Sequence, residues 1–297
     1  MQHFDVIVIG QGYAGLKTAL LAADRGLHVA TAEKMFPGGL IMSINHLDPA
    51  PAGEAGSGGD LSAELSIQGM DAGVVSLDGE VTVLTQGADG WEVKTEGDRY
   101  SATNVVIASG ARLRRLGIPG EEEFLGRGVS ECADCDGPLY HGKAAVVVGG
   151  GDSAFQEAVA LTSYCSAVTI AMRGTQPRAR ADLVNAVAAH PAITLLPETE
   201  VVEITGDASG MTGVHLAGAG APSPTLDCAV IFMFVGLAPD VAYVPADIAR
   251  DAQGGILADE SGRTGLPGLW VVGAARSGFG GMLDDAATDA QRLVASL

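Results

Sequence analysis

An α/β fold is predicted by three features of the sequence. Two strand–glycine loop–helix–strand units begin at Val6 and Ala144, about 140 residues apart. The length of 297 residues suits two domains of roughly 100 to 200 residues each. Two candidate crossings, near residues 112–117 and 237–241, bracket the second unit. Together these describe two Rossmann-like (three-layer ββα) nucleotide-binding domains, the second inserted in the first: residues 1–114 and 241–297 form one, residues 115–240 the other.

Each element follows from local pattern. The apolar run over residues 6–9 reads as a buried strand, followed by GQGYAG, a helical pattern over 16–25 and a strand over 28–32 that ends at Glu33. Residues 47–60 are rich in Pro, Gly and Ala without a period and read as a surface loop before a helix over 61–72. Alternating apolar residues in 81–84, 91–95 and 105–108, with Asp89-Gly90 as a turn, predict a small antiparallel meander. At Ala144 the opening pattern returns as AAVVV, GGGDSA, a helix through Thr162 and a strand over 167–172. Further strands are expected over 193–196, 200–204, 213–216 and 229–235. A strand over 269–272, the segment GAARSG and a helix over 283–296 end the chain.

Composition narrows the function classes. With 47% hydrophobic and 18% charged residues the chain has material for a core. Lys plus Arg is 17 and Asp plus Glu is 36, so the net charge of −19 repels phosphate backbones and anionic lipid surfaces, and neither nucleic acid nor membrane is expected as a partner. The longest apolar stretch, residues 228–238, falls far short of the roughly 18 residues of a membrane span. No basic leader precedes the first strand, so a cytoplasmic protein is expected. Four cysteines are too few for a disulfide-stapled secreted domain, and two of them are spaced C-x-x-C.

The chemistry-bearing motifs are three. In Gly10-x-Gly12-x-x-Gly15 the first glycine permits a tight turn, the second lets a pyrophosphate approach the backbone and the third lets helix and strand pack closely. Glu33, 18 residues beyond Gly15, stands where a carboxylate accepts ribose hydroxyls. Gly149-x-Gly151-x-x-Ala154 repeats the logic, but the strand after it ends Ala171-Met172-Arg173, with no acid for a ribose and one arginine for a 2′-phosphate. This loop is either a second nucleotide site or a retained fold that has lost its ligand. Cys132 and Cys135 form a pair that can close reversibly on a helical turn, whose N-terminal end stabilises a thiolate. A zinc site needs about four ligands, and only His141 is near. Asp136 is either a general acid–base or a turn residue before Gly137. Cys165 and Cys228 sit in apolar stretches and read as core, and His28, His46, His190 and His215 are scattered singly.

The run VVIASGARLRRLGIPGEEEFLGRGVSECADCDG, continuing through LYHGKAAVVVGGGDSAFQEA, resembles the low-molecular-weight thioredoxin reductases of bacteria. GQGYAG, Glu33, Pro37-Gly38-Gly39 and FVGLAPD match in kind and order, so the resemblance covers nearly the whole chain. It implies that FAD is held at Gly10, Gly12, Gly15, Glu33, Gly38, Gly39, Gly110 and Gly273, and a nicotinamide nucleotide at Gly149, Gly151, Ser153 and Arg173. It further implies that Cys135 is the thiol beside the flavin, that Cys132 attacks the disulfide substrate, that Asp136 protonates the leaving thiolate, and that the protein is a homodimer acting on thioredoxin or a similar disulfide. The sequence departs from that pattern in three places. Ala171-Met172-Arg173 stands for His-Arg-Arg, Gly273 is followed by Ala274-Ala275 rather than Asp, and Met282 replaces a glutamine. NADPH and NADH are therefore both expected to be poor donors. Two competing readings are an FAD-dependent dithiol oxidase that passes electrons to oxygen, and a non-enzymatic redox sensor that retains FAD.

Overall fold

The computed structural model describes residues 1–45, 47, 51, 56–87 and 90–297. His46, part of the loop expected over residues 47–60, and Asp89 of the expected turn lie outside the described residues. The chain forms two compact units, one from Met1–Arg112 and Ala238–Leu297, the other from Leu113–Leu237.

In the first unit β1 (Gln2–Ile9) runs through the glycine loop into α1 (Tyr13–Asp24) and β2 (Val29–Ala32). The helix α2 (Gly58–Asp71) is capped by Ser57, whose Oγ accepts the Asp60 amide at 3.1 Å. Then come β3 (Val75–Leu77), β4 (Val81–Gly87), β5 (Gly90–Thr95) and β6 (Arg99–Ile107). The sheet order is β3-β2-β1-β6-β5-β4. The antiparallel meander expected from the sequence forms as β4-β5-β6 and is continuous with the parallel strands, because β6 starts at Arg99 and pairs antiparallel with β5 while running parallel to β1. Its burial pattern shows why: the first half is partly solvated, and Val105, Val106 and Ile107 are wholly buried, as a strand covered on both faces must be.

The chain crosses through β7 (Ala111–Leu113) into the second unit. There β8 (Val129–Ser130), the single turn α3 (Ala133–Asp136), β9 (Ala144–Val148), α4 (Asp152–Leu161), β10 (Ala167–Ala171), α5 (Ala181–Ala189) and β11 (Ile193–Leu196) follow in order. Next are β12 (Glu200–Asp207), β13 (Gly210–Ala217) and β14 (Thr225–Asp227), an antiparallel sheet, and then β15 (Val230–Met233). The parallel sheet has the order β11-β10-β9-β15-β8. Alternation along β9 builds three layers. Ala145 and Val147 pack with Ala154, Phe155 and Leu161 of α4, whereas Val146 and Val148 pack with Val201 and Val214 of the antiparallel sheet. The helix α5 is absent from the sequence reading. Only Val187 of its nine residues is buried, so its apolar stripe is weak.

The chain returns through β16 (Leu237–Pro239) to the first unit, where β17 (Leu269–Val271) pairs parallel with β6 and α6 (Leu283–Ser296) closes the chain. Leu293 and Val294 of α6 join Ala19 and Ala22 of α1 over Val6 and Val8. On the other face Ile7 and Ile9 pack with Leu84, Trp91 and Val93 of the antiparallel edge.

Candidate active site

The first glycine loop is shaped by contact distances. A Cβ on Gly10 would lie 2.4 Å from the Ala108 carbonyl oxygen, and one on Gly15 would lie 2.0 Å from that of Gly10. Neither position admits a side chain. A Cβ on Gly12 would meet nothing closer than the Gly38 oxygen at 3.9 Å, so this glycine leaves open the approach a pyrophosphate needs at the start of α1. Gly38 lies against it, donating its amide to Gln11 at 2.7 Å, and a Cβ on Gly39 would stand 3.3 Å from the Gly12 Cα. Gly110 follows β6 and accepts the Asp240 amide at 3.1 Å. Gly273 follows β17, where a Cβ would lie 2.8 Å from that of Ala14. These residues therefore gather at the carboxyl ends of the parallel strands, the position of ligands in open α/β sheets.

Glu33 stands at the end of β2, its Oε2 accepting the Gln11 amide at 2.8 Å and its Oε1 the Lys34 amide at 2.8 Å. Beside it is a cavity of about 300 Å³ lined by Gly10, Glu33, Ser109, Asp240 and Tyr243. The Tyr243 hydroxyl donates to Ser109 at 3.0 Å, and Ser109 donates to the Asp240 carbonyl at 2.6 Å. Lys34 pairs with Asp240 at 2.6 Å, and that hydrogen bond raises the ammonium above its ordinary range. An open glycine cradle, a carboxylate at the end of the second strand and an adjoining cavity fit a dinucleotide such as FAD. Where Ala274 replaces the expected aspartate, a different carboxylate holds the loop. Buried Asp289 accepts the Gly273 amide at 3.2 Å and two Arg276 nitrogens at 2.9 and 3.0 Å.

In the second unit Gly149, Gly151 and Ser153 occupy the β9–α4 junction, where a Cβ on Gly149 would clash with the Phe234 oxygen at 2.5 Å and Gly151 faces open space. Met172 is buried beneath Gly150, while Arg173 and Arg178 are exposed. Arg180 is already engaged, at 3.6 Å from Asp152 and 3.4 Å from Asp182.

Cys132 and Cys135 form a disulfide across α3, with Cα atoms 5.3 Å apart. Cys132 is the N-cap residue, and its Sγ accepts the Cys135 amide at 3.2 Å. That donor is the one a thiolate would use. Asp136 Oδ2 accepts the Ser130 hydroxyl at 2.6 Å, and Ser130 Oγ accepts the Cys132 amide at 3.2 Å. Ser130 thus ties the acid to the cysteine turn, a role with no sequence signal beyond its place just before the motif. Cys165 and Cys228 are both buried, and desolvation pushes the Cys228 thiol up to about 12. Glu157 of α4 was also missed, since a Gln-Glu pair on an amphipathic helix reads as solvent-facing. Burial, with the nearby Asp134 charge, raises its carboxyl to about 7.

The chain belongs to the pyridine nucleotide-disulphide oxidoreductase family, whose sequence pattern matches residues 4–290. Within that class it is of the thioredoxin reductase type, an FAD-dependent disulfide oxidoreductase. A thioredoxin reductase of Listeria monocytogenes is 34% identical over 276 residues, covering 92% of this chain and 86% of the relative. The fold agrees: a crystal structure of Lactococcus lactis thioredoxin reductase superposes with a TM-score of 0.93 at 31% identity, covering 99% of this chain and 97% of the other. That of T. acidophilum thioredoxin reductase gives 0.90 at 28%, covering 100% and 99%. The oxidase and sensor alternatives find no support among these relatives.

Proposed function

We propose that this protein reduces the disulfide of a thioredoxin-like protein through Cys132 and Cys135, with a nicotinamide site that grips a 2′-phosphate poorly. The observation that carries the reading is the disulfide itself, closed across α3 at the carboxyl end of a parallel strand and followed by Asp136. Gly10, Gly12, Gly15, Glu33, Gly38, Gly39, Gly110 and Gly273 hold FAD, which supplies a two-electron relay between a hydride donor and the disulfide. Two electrons and two protons convert the Cys132–Cys135 disulfide to a dithiol. Cys132 as thiolate then attacks a sulfur of the substrate disulfide, forming a mixed disulfide and releasing one substrate thiolate, which Asp136 protonates. Cys135 attacks Cys132, restoring the internal disulfide and freeing the second substrate thiol. The two chain crossings, β7 and β16, are where the cysteine-bearing unit would swing between donor and substrate.

Gly149, Gly151, Ser153 and Arg173 form the nicotinamide site. Each charge-assisted contact to a 2′-phosphate contributes roughly 1.5 to 3 kcal/mol, Met172 offers none, and Arg180 is neutralised by Asp152 and Asp182. No acid takes the ribose hydroxyls in exchange, so NADH gains no advantage. Anaerobic stopped-flow tests this: slow flavin bleaching by both nucleotides is expected, whereas saturation by NADPH at low micromolar concentration would show that Arg173 and Arg178 rebuild the site. Thioredoxin reduction in the same preparation identifies the substrate class. A homodimer through the FAD-binding unit is supported by the exposed apolar side chains of Met35, Phe36, Ile67 and Met70. Among the described residues no helix is long and apolar enough to cross a membrane.

A further inference from the structure

The turn that carries the cysteines is too short to hold itself, since α3 has only four residues and an isolated turn of helix is unstable in water. One hydroxyl grips both of its ends. Ser130 closes β8, is 4% exposed, and stands in register with Phe232 of β15, so the parallel sheet fixes its backbone. Its Oγ donates to Asp136 Oδ2 at 2.6 Å and accepts the amide of the N-cap residue Cys132 at 3.2 Å. Cys132 opens α3 and Asp136 ends it. The acid and the sulfur are therefore both referred to one point on a strand.

We propose that Ser130 is a positioning residue for disulfide exchange, holding Asp136 so that its carboxyl delivers a proton to the leaving thiolate from Oδ1. The inference rests on the reading of Cys132 as the attacking thiol and Asp136 as the acid. A serine has one proton to donate. The short bond commits it to Oδ2, because the other acceptor in reach, the Cys132 carbonyl, lies at 3.4 Å. Oδ2 is thereby an acceptor, and Oδ1 is the oxygen left to carry the acid proton. Neither Ser130 bond involves sulfur, so both survive when reduction opens the disulfide across the turn.

In the step concerned, the Cys132 thiolate bonds to one sulfur of the substrate disulfide and the substrate S–S bond breaks. The departing thiolate takes the proton from Asp136 Oδ1, leaving a carboxylate that still accepts from Ser130. The proton matters only where the departing thiolate is basic. An alkyl thiolate needs it, whereas an aromatic thiolate of low basicity leaves readily without it. General acid catalysis contributes roughly 10²–10⁴-fold, and a misplaced acid forfeits part of that. Dependence on the leaving group thus separates placement of the acid from mere support of the turn, which acts on both kinds of disulfide alike.

The test uses the full-length, FAD-loaded protein carrying Cys135→Ser, so that Cys132 exchanges once and stops at the mixed disulfide, while Cys165 and Cys228 are buried. Mixed disulfides formed with hydroxyethyl disulfide (alkyl) and with dithiobis(nitrobenzoate) (aromatic) are followed by mass in acid-quenched samples. The readout is the ratio of the two rates. Ser130→Ala is expected to lower the alkyl-to-aromatic ratio about tenfold, and Ser130→Thr, which keeps the hydroxyl, to hold it within about twofold of the parent. Asp136→Asn should lower the ratio at least as far, and adding Ser130→Ala to it should lower the ratio no further. A ratio unchanged by Ser130→Ala while Asp136→Asn lowers it, or a further fall in the combined variant, would overturn the proposal alone. A ratio unmoved by Asp136→Asn would remove Asp136 as the acid, and a parent that forms neither mixed disulfide would remove the functional reading; the role of Ser130 falls with either.

Discussion

Gly12 and Gly15 sit three residues apart in one loop and answer to different constraints, which makes them separable by substitution. Gly15→Ala places a methyl 2.0 Å from a backbone oxygen and is expected to cost more than about 2 kcal/mol of stability, read as a lower denaturation midpoint. Gly12→Ala meets no atom within 3.9 Å. It should leave stability within about 1 kcal/mol while weakening FAD binding about tenfold or more, measured by flavin release on dilution. Equal losses of stability in both variants would show that Gly12 serves packing and not the ligand. The spacing of these glycines, and of Cys132 and Cys135, was legible in the sequence because the constraint on each is local. The Ser109–Tyr243–Asp240 side of the cavity was not, since its members come together only when segments more than a hundred residues apart meet.

At the scale of elements, α4 links the nucleotide loop and the cysteine turn, and its burial makes it sensitive. Phe155→Ala should cost about 3 to 5 kcal/mol, because the ring is fully buried between β9 and the turn. Glu157 gives the second unit a specific pH dependence. Its carboxyl binds a proton more tightly folded than unfolded, so stability is greatest below about pH 4.5 as far as this group is concerned and falls as pH rises to about 7. The difference amounts to at most about 3 kcal/mol. Urea midpoints should show that fall in the parent and a flatter profile in Glu157→Gln. The reading of β9, β11 and α6 agrees with the structure residue for residue, because each has a clean apolar run or stripe with clear ends. The reading of β6 was too short. Its first half alternates polar and apolar residues and pairs on both sides, a partnership set by register across the sheet and not by its own sequence.

For the whole molecule, two nucleotide-type units on one chain could be inferred from a repeated motif, and the units observed divide after Arg112 and Leu237. Assembly follows no such pattern. Sedimentation of the proposed homodimer should give a species near 60 kDa, twice the 30.0 kDa chain, at micromolar concentration, and a 30 kDa species would contradict it. The account as a whole depends on Cys132 and Cys135 cycling between disulfide and dithiol in the FAD-loaded protein. Thiol titration of that protein under denaturing conditions, before and after anaerobic reduction, tests this most directly. The account predicts a gain of two thiols that disappears in Cys135→Ser; an unchanged thiol count on full reduction of the flavin would contradict it.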